Sequence, residues 1–256
     1  MNQEQYERLE VYQPPDIPSD PFERFKERWG NSSFRVSTMT WVSLFILIVG
    51  YPGLTAGFTE DPTEILRNLN EGLRIFLLVV TIISLWTIFL ILWIATYREN
   101  TLLAGVGLKR IRLVDFAWAI AFLAFSWAFL TGLAWLLAQI GLPLTGELGM
   151  LIPEDATGRL VWVGVSFSAG FCEEVAFRGY LMTRLRLLFR LDNWIIPVIV
   201  SSVVFGICHA YQGVGGPILI GTYGLLFSLL YLRTGTLWPG IIAHSFQDLM
   251  ALFFPQ

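Results

Sequence analysis

Seven apolar runs dominate the 256-residue chain, at roughly 38–58, 73–95, 116–140, 160–184, 194–210, 216–232 and 237–254. Each approaches the ~20 residues that an α-helix needs to cross about 30 Å of hydrocarbon. Inside lipid a backbone must satisfy its own N–H and C=O groups, so these runs are predicted to be helices rather than strands. The expectation is an all-α, polytopic membrane protein with about seven transmembrane helices, six to eight being the tolerance. Composition agrees: 55% of residues are apolar and 14% charged, against roughly 45–50% and 25% in soluble domains, and the mean hydropathy is +0.61. With 17 basic and 20 acidic side chains the net charge is −3, so no basic field exists to attract nucleic acid. The expected partner is the bilayer. Two cysteines cannot build a disulfide framework.

Lys and Arg then set an expected orientation. Arg8, Arg24, Lys26, Arg28 and Arg35 precede the first run; Arg98, Lys109, Arg110 and Arg112 follow the second. Arg184, Arg186 and Arg190 end the fourth, and Arg233 lies between the sixth and seventh. The alternate loops hold only Arg67, Arg74 and Arg159. Thirteen cations against three place the N-terminus in the cytoplasm. Residues 1–37 are expected to form a cytoplasmic segment, with more acid than base and so the wrong charge for the n-region of a signal peptide. Within it Asp20-Pro21-Phe22-Glu23 reads as a helix start, with an Asp N-cap and Pro at the first position. Phe22, Phe25 and Trp29 then share one face, as in a helix resting in the interface. Residues 102–114 read similarly. Residues 38–256 form the transmembrane domain, with no internal repeat or second domain.

Ionisable groups inside these runs point to a site, because a charge at the bilayer centre costs at least ~2.5–3.5 kcal/mol and normally faces a cavity or partner. The fourth run contains Glu173-Glu174-Val175-Ala176-Phe177-Arg178. Glu174 and Arg178, four residues apart, stack on one helix face and can pair; Glu173 points about 100° away and has no partner in its own turn. The two histidines of the chain, His209 and His244, are also intramembrane, and Asp248 lies one turn beyond His244. At ~1.5 Å per residue the depths come out at roughly 16 Å for Glu173, 22 Å for His209, 10 Å for His244 and 16 Å for Asp248. Three helices thus bring polar groups into one slab. Cys172 and Cys208 precede site residues but read as small buried hydrophobes, no serine is spaced to serve either histidine, and Gly221 and Gly224 read as helix-packing residues.

Such a set suits hydrolysis. Glu173 can take a proton from water and later return it to the leaving amine, while donors hold the oxyanion. Zinc is the alternative: His209, His244 and a carboxylate such as Asp248 supply three ligands and leave the fourth position for water, although the H-E-x-x-H spacing is absent.

Three motifs in order resemble those of the type II CAAX prenyl endopeptidases and their bacterial relatives, the CPBP (Abi) intramembrane proteases. They are E-E-x-x-x-R at Glu173, Glu174 and Arg178, F-x-x-x-H at Phe205 and His209, and H-x-x-x-N/D at His244 and Asp248. The likeness covers about the last hundred residues, a core at about 155–254. It implies an intramembrane endopeptidase acting on a membrane-anchored substrate, of which prenylated CAAX peptides are the precedent. It implies that Glu173 and His209 activate the water, that His244 and the residue at 248 steady the oxyanion, and that Glu174, Arg178 and Phe205 shape the site. Members have been labelled metalloendopeptidases, with a metal-free glutamate mechanism as the competing picture, so the cofactor is either none or zinc. Asp248 departs from the Asn of the CAAX enzymes; an ionised Asp cannot donate to an oxyanion, so it must be protonated, orient His244 or bind metal. The resemblance also admits a non-proteolytic scaffold or bacteriocin self-immunity role, and the buried acids by themselves admit an ion or proton translocator. The substrate is not named by any residue.

Overall fold

The computed structural model describes residues 20–56, 70–144, 152 and 155–253. Among the described residues there is no strand. Helix α1 is Pro21–Arg28; α2 joins Thr38–Phe45, a π turn at Ile46–Gly50 and Tyr51–Ala56; α3 is Glu71–Arg98 and α4 Leu113–Gln139. Helix α5 is Ala156–Leu188, α6 Ile195–Ile207, α7 Gly215–Thr234 and α8 Trp238–Met250. Each of the seven apolar runs holds one of the helices α2–α8, which makes the chain an all-α polytopic membrane protein. Four of them, α3, α4, α5 and α7, are long and apolar enough to cross a membrane unaided. The others are shorter: the 13 residues of α6 and of α8 rise about 20 Å where the hydrocarbon is about 30 Å.

Helix α5 is the centre of the bundle. Of its most apolar stretch 61% is buried by protein, against 17% in α3 and 22% in α4, whose sides face outward. It packs against α3 and α8, while α6 lies along α7 and α4 touches both α7 and α8. Small residues let α8 come close. A Cβ on Gly170 would collide with the Ser245 hydroxyl and lie 2.7 Å from the Ser245 nitrogen and 3.1 Å from the Ile241 carbonyl. That approach carries His244 to the level of Glu173. Gly170→Ala is therefore expected to cost about 1–3 kcal/mol through overpacking, read as a lower unfolding midpoint in detergent; an unchanged midpoint would show that the contact relaxes freely.

From Glu174 to Leu181 the helix is π-helical, and all eight of these residues are buried. Such a segment inside an α-helix commonly marks a functional site.

Helix α1 starts as the sequence suggests, with the Asp20 side chain accepting from the Phe22 N–H at 2.8 Å. Its apolar face, however, turns to protein rather than lipid. Phe22, Phe25 and Trp29 are buried, with Phe25 5.2 Å from Trp194 and Trp29 5.0 Å from Tyr231 between ring centres. The following segment is tied to the loop after α3: the Asn31 side-chain amide donates to the Gly105 carbonyl at 3.0 Å, and the Arg35 N–H to that of Glu99 at 2.9 Å. The loop in turn accepts at Gly107 from the Leu237 N–H at 3.0 Å. The cation-bearing segments around α1, after α3, after α5 and before α8 thus meet at one end of the bundle.

Two of the cations counted for the orientation, at the end of the fourth run, are buried. Arg184 is wholly buried and donates from Nε and Nη2 to Glu99 Oε2, at 2.9 and 2.7 Å, and from Nη2 to the Thr101 hydroxyl. The Tyr180 hydroxyl donates to the other Glu99 oxygen. Arg186 lies against the rings of Phe25 and Trp194 and donates to the carbonyls of Leu191 and Asp192.

Candidate active site

The first α-helical stretch of α5 ends at Glu173, the π stretch begins at Glu174, and α-helix resumes at Met182. Glu174 and Arg178 pair as their spacing suggests, Nη1 donating to Oε1 at 2.9 Å with both side chains buried. The guanidinium is also clamped between aromatic faces, 4.2 Å from the Phe205 ring centre and 5.0 Å from that of Phe227. Cation–π contacts of this desolvated kind are worth ~2 kcal/mol each. Phe205, singled out from a motif, therefore has a concrete task on Arg178.

His244 occupies the centre. Its Nδ1 is 3.2 Å from Glu174 Oε1, and since a carboxylate only accepts, that nitrogen carries a proton. The other nitrogen, Nε2, faces two more carboxylates, Glu173 Oε2 at 3.9 Å and Asp248 Oδ2 at 3.8 Å. These separations exceed a direct hydrogen bond. The ring stacks on Phe227, centres 5.3 Å apart and planes 27° apart. Helix α8 can bring His244 so near because Gly240 has no side chain: a Cβ there would sit 2.9 Å from Glu174 Oε2. Asp248 is half-buried, and its backbone carbonyl accepts from the Trp162 indole at 3.0 Å.

His209 stands apart from this cluster. It lies two residues past the end of α6, where a 3₁₀ turn at Ala210–Gln212 and Gly213, with φ +84°, lead into α7. Its Nδ1 is 2.9 Å from the Phe205 carbonyl, which fixes the proton on Nδ1 and leaves Nε2 as the acceptor of a neutral ring. It makes no hydrogen bond or ion pair with Glu173, His244 or Asp248. The Phe205 ring lies against both imidazoles, 4.9 Å from His209 and 6.2 Å from His244 between centres. Among the described residues no three His, Cys, Asp or Glu side chains are grouped so as to hold a metal ion. In this arrangement the Phe205 ring lies against both imidazoles, and His209 turns Nδ1 to the Phe205 carbonyl.

Glu173, Glu174, Arg178, Phe205, His244 and Asp248 do come together, around one imidazole. Phe227, Tyr223 and Trp162 were not foreseen. Tyr223 donates to the Gln247 side chain and packs on Phe227. The signal for Phe227 was present, since it continues the face of Gly224, where a Cβ would press on Phe205 and Arg178. Cys172 and Cys208 are buried thiols.

No curated protein and no solved structure matches the chain. Residues 155–250 match the model of the family described as type II CAAX prenyl endopeptidase Rce1-like. That span runs from the start of α5 through α8 and holds every residue of the cluster, so the carboxy-terminal part of this membrane protein is similar to that family.

Proposed function

We propose that the chain is an intramembrane endopeptidase that hydrolyses a peptide bond in a membrane-anchored substrate, with lipidated carboxy-terminal peptides as the substrate class. The family match supports this reading. The observation that carries it is the unequal state of two neighbouring acids. Glu174 is bound to Arg178 and His244, whereas Glu173 meets only the Nε2 side of His244, at 3.9 Å.

In this reading Glu173 takes a proton from water, whose oxygen attacks the scissile carbonyl carbon, and His209 Nε2 accepts the water's other hydrogen bond. His244, held through Nδ1 by Glu174 and bearing protons on both nitrogens, donates from Nε2 to the developing oxyanion. Asp248 balances that imidazolium. Collapse of the intermediate breaks the C–N bond as the proton on Glu173 passes to the leaving amine, giving a carboxylic acid and a free amine; the acid then loses its remaining proton to the amine, leaving a carboxylate and an ammonium. The segment before residue 38 and the cation-rich end of the bundle face the cytoplasm, following the positive-inside rule.

The test is cleavage of a farnesylated peptide by the detergent-solubilised protein, beside the same peptide without lipid, with and without a zinc chelator. The expected result is cleavage of the lipidated peptide, unchanged by chelation, and a roughly 10²–10⁴-fold loss in His209→Ala. Chelator loss restored by zinc would overturn the glutamate mechanism, and a protein inert toward every lipidated peptide would overturn the endopeptidase.

A further inference from the structure

A second polar feature lies at the cation-rich end of the bundle, away from His244. An open cavity of about 620 Å³ is lined by Arg24, Arg28 and Arg186 over an aromatic floor of Phe25, Trp29 and Trp194, with Glu27 on its rim. Arg186 is occupied by backbone carbonyls. Arg24 and Arg28 are exposed and have no ion-pair partner among the described residues. Lys109 extends the group, its ammonium 5.1 Å from the Trp29 ring centre. Burial, and then the guanidiniums of Arg28 and Arg112, hold this lysine below its ordinary range. Beside the cavity, α6 begins directly after Trp194 and leaves Ile195, Ile196 and Ile199 exposed. A cationic, aromatic-floored cavity thus opens at the head of an apolar strip.

We propose that this cavity binds the phosphate headgroup of an anionic glycerophospholipid, with Arg24 and Arg28 as its charge partners and the acyl chains along the exposed face of α6. Basic pockets at the cytoplasmic ends of membrane helices select such headgroups, and aromatic rings sit at the same level. Free phosphate esters share the headgroup chemistry but have nothing to place on the isoleucines. The site is independent of the protease reading, since binding is measured without cleavage.

The full-length protein in non-ionic detergent would be titrated with phosphatidylglycerol, phosphatidylcholine and glycerol 3-phosphate, bound lipid being counted by native mass spectrometry. Phosphatidylglycerol is expected to bind more tightly than phosphatidylcholine. The double variant Arg24→Gln/Arg28→Gln should weaken it roughly tenfold to thirtyfold, given about fivefold for each cation near an anionic headgroup. Arg24→Lys/Arg28→Lys should retain most of the binding, and Glu27→Gln should tighten it. Arg159→Gln, which removes an exposed cation at the opposite end of α5, should change nothing. Equal binding of the two lipids, an unaffected double Gln variant, or equal weakening by Arg159→Gln would overturn the proposal. Displacement of the lipid by glycerol 3-phosphate at equal concentration would overturn the lipid as the occupant and point to a soluble phosphate ester.

Discussion

Glu173→Gln is expected to abolish turnover of a lipidated peptide, lowering kcat roughly 10²–10⁴-fold, while the unfolding midpoint in detergent stays where it is. Gln has the shape of Glu but cannot take a proton from water. The ion pair that the change touches is the long one to His244 Nε2, at 3.9 Å, beyond hydrogen-bond distance. The adjacent Glu174→Gln should behave in the opposite way and chiefly lose stability, since Glu174 is the ion-pair partner of the wholly buried Arg178. An unpaired buried charge costs about 3–5 kcal/mol. Steady-state kinetics and unfolding curves on the two variants decide the matter. A Glu173→Gln protein with near-normal kcat would remove Glu173 from the chemistry, and an equal stability loss in both variants would remove the asymmetry on which its role rests.

Glu99→Ala is expected to have the largest effect on folding of any change distant from His244, about 3–5 kcal/mol. It leaves the Arg184 guanidinium buried without its carboxylate and removes an acceptor from Tyr180. These contacts join the end of α3 to α5 below the π stretch. Replacing both charges with apolar residues, Glu99→Leu with Arg184→Met, should recover most of the loss, because a buried pair and a well-packed apolar substitute are often of similar stability. Chemical unfolding of the single and double variants measures this. A double variant as unstable as the single would mean that packing, not the stranded charge, holds α3 to α5.

The helices and most of the cluster were legible because lipid simplifies the code. An apolar run must be helical, and an acid inside one must face a partner, which drew attention to Glu173, Glu174 and His244 without any fold in hand. Spacing alone gave the Glu174–Arg178 pair. The burial of Arg184 was not legible for a definable reason: at the end of an apolar run an exposed arginine and an arginine buried against Glu99 look alike until the distant acid is placed. The face of α1 was misread likewise, since Phe22, Phe25 and Trp29 have the same spacing whether they meet lipid or Trp194 and Tyr231. The separation of His209 from His244 was also invisible. Depth along each helix fixes one coordinate, and Phe205 settles the other two.

The two 13-residue helices, α6 and α8, have a consequence for the surrounding bilayer. Helix α8 carries His244 and Asp248, α6 leads into His209, and each helix falls about 10 Å short of a typical hydrocarbon thickness. Hydrophobic mismatch of this kind is relieved by pinching the membrane, at fractions of a kcal/mol per ångström. Where α6 and α8 meet lipid the leaflets are expected to draw together, so that a backbone amide has less hydrocarbon to traverse than beside α3 or α4. Activity in vesicles of longer-chain lipids is then expected to fall below that in shorter-chain ones.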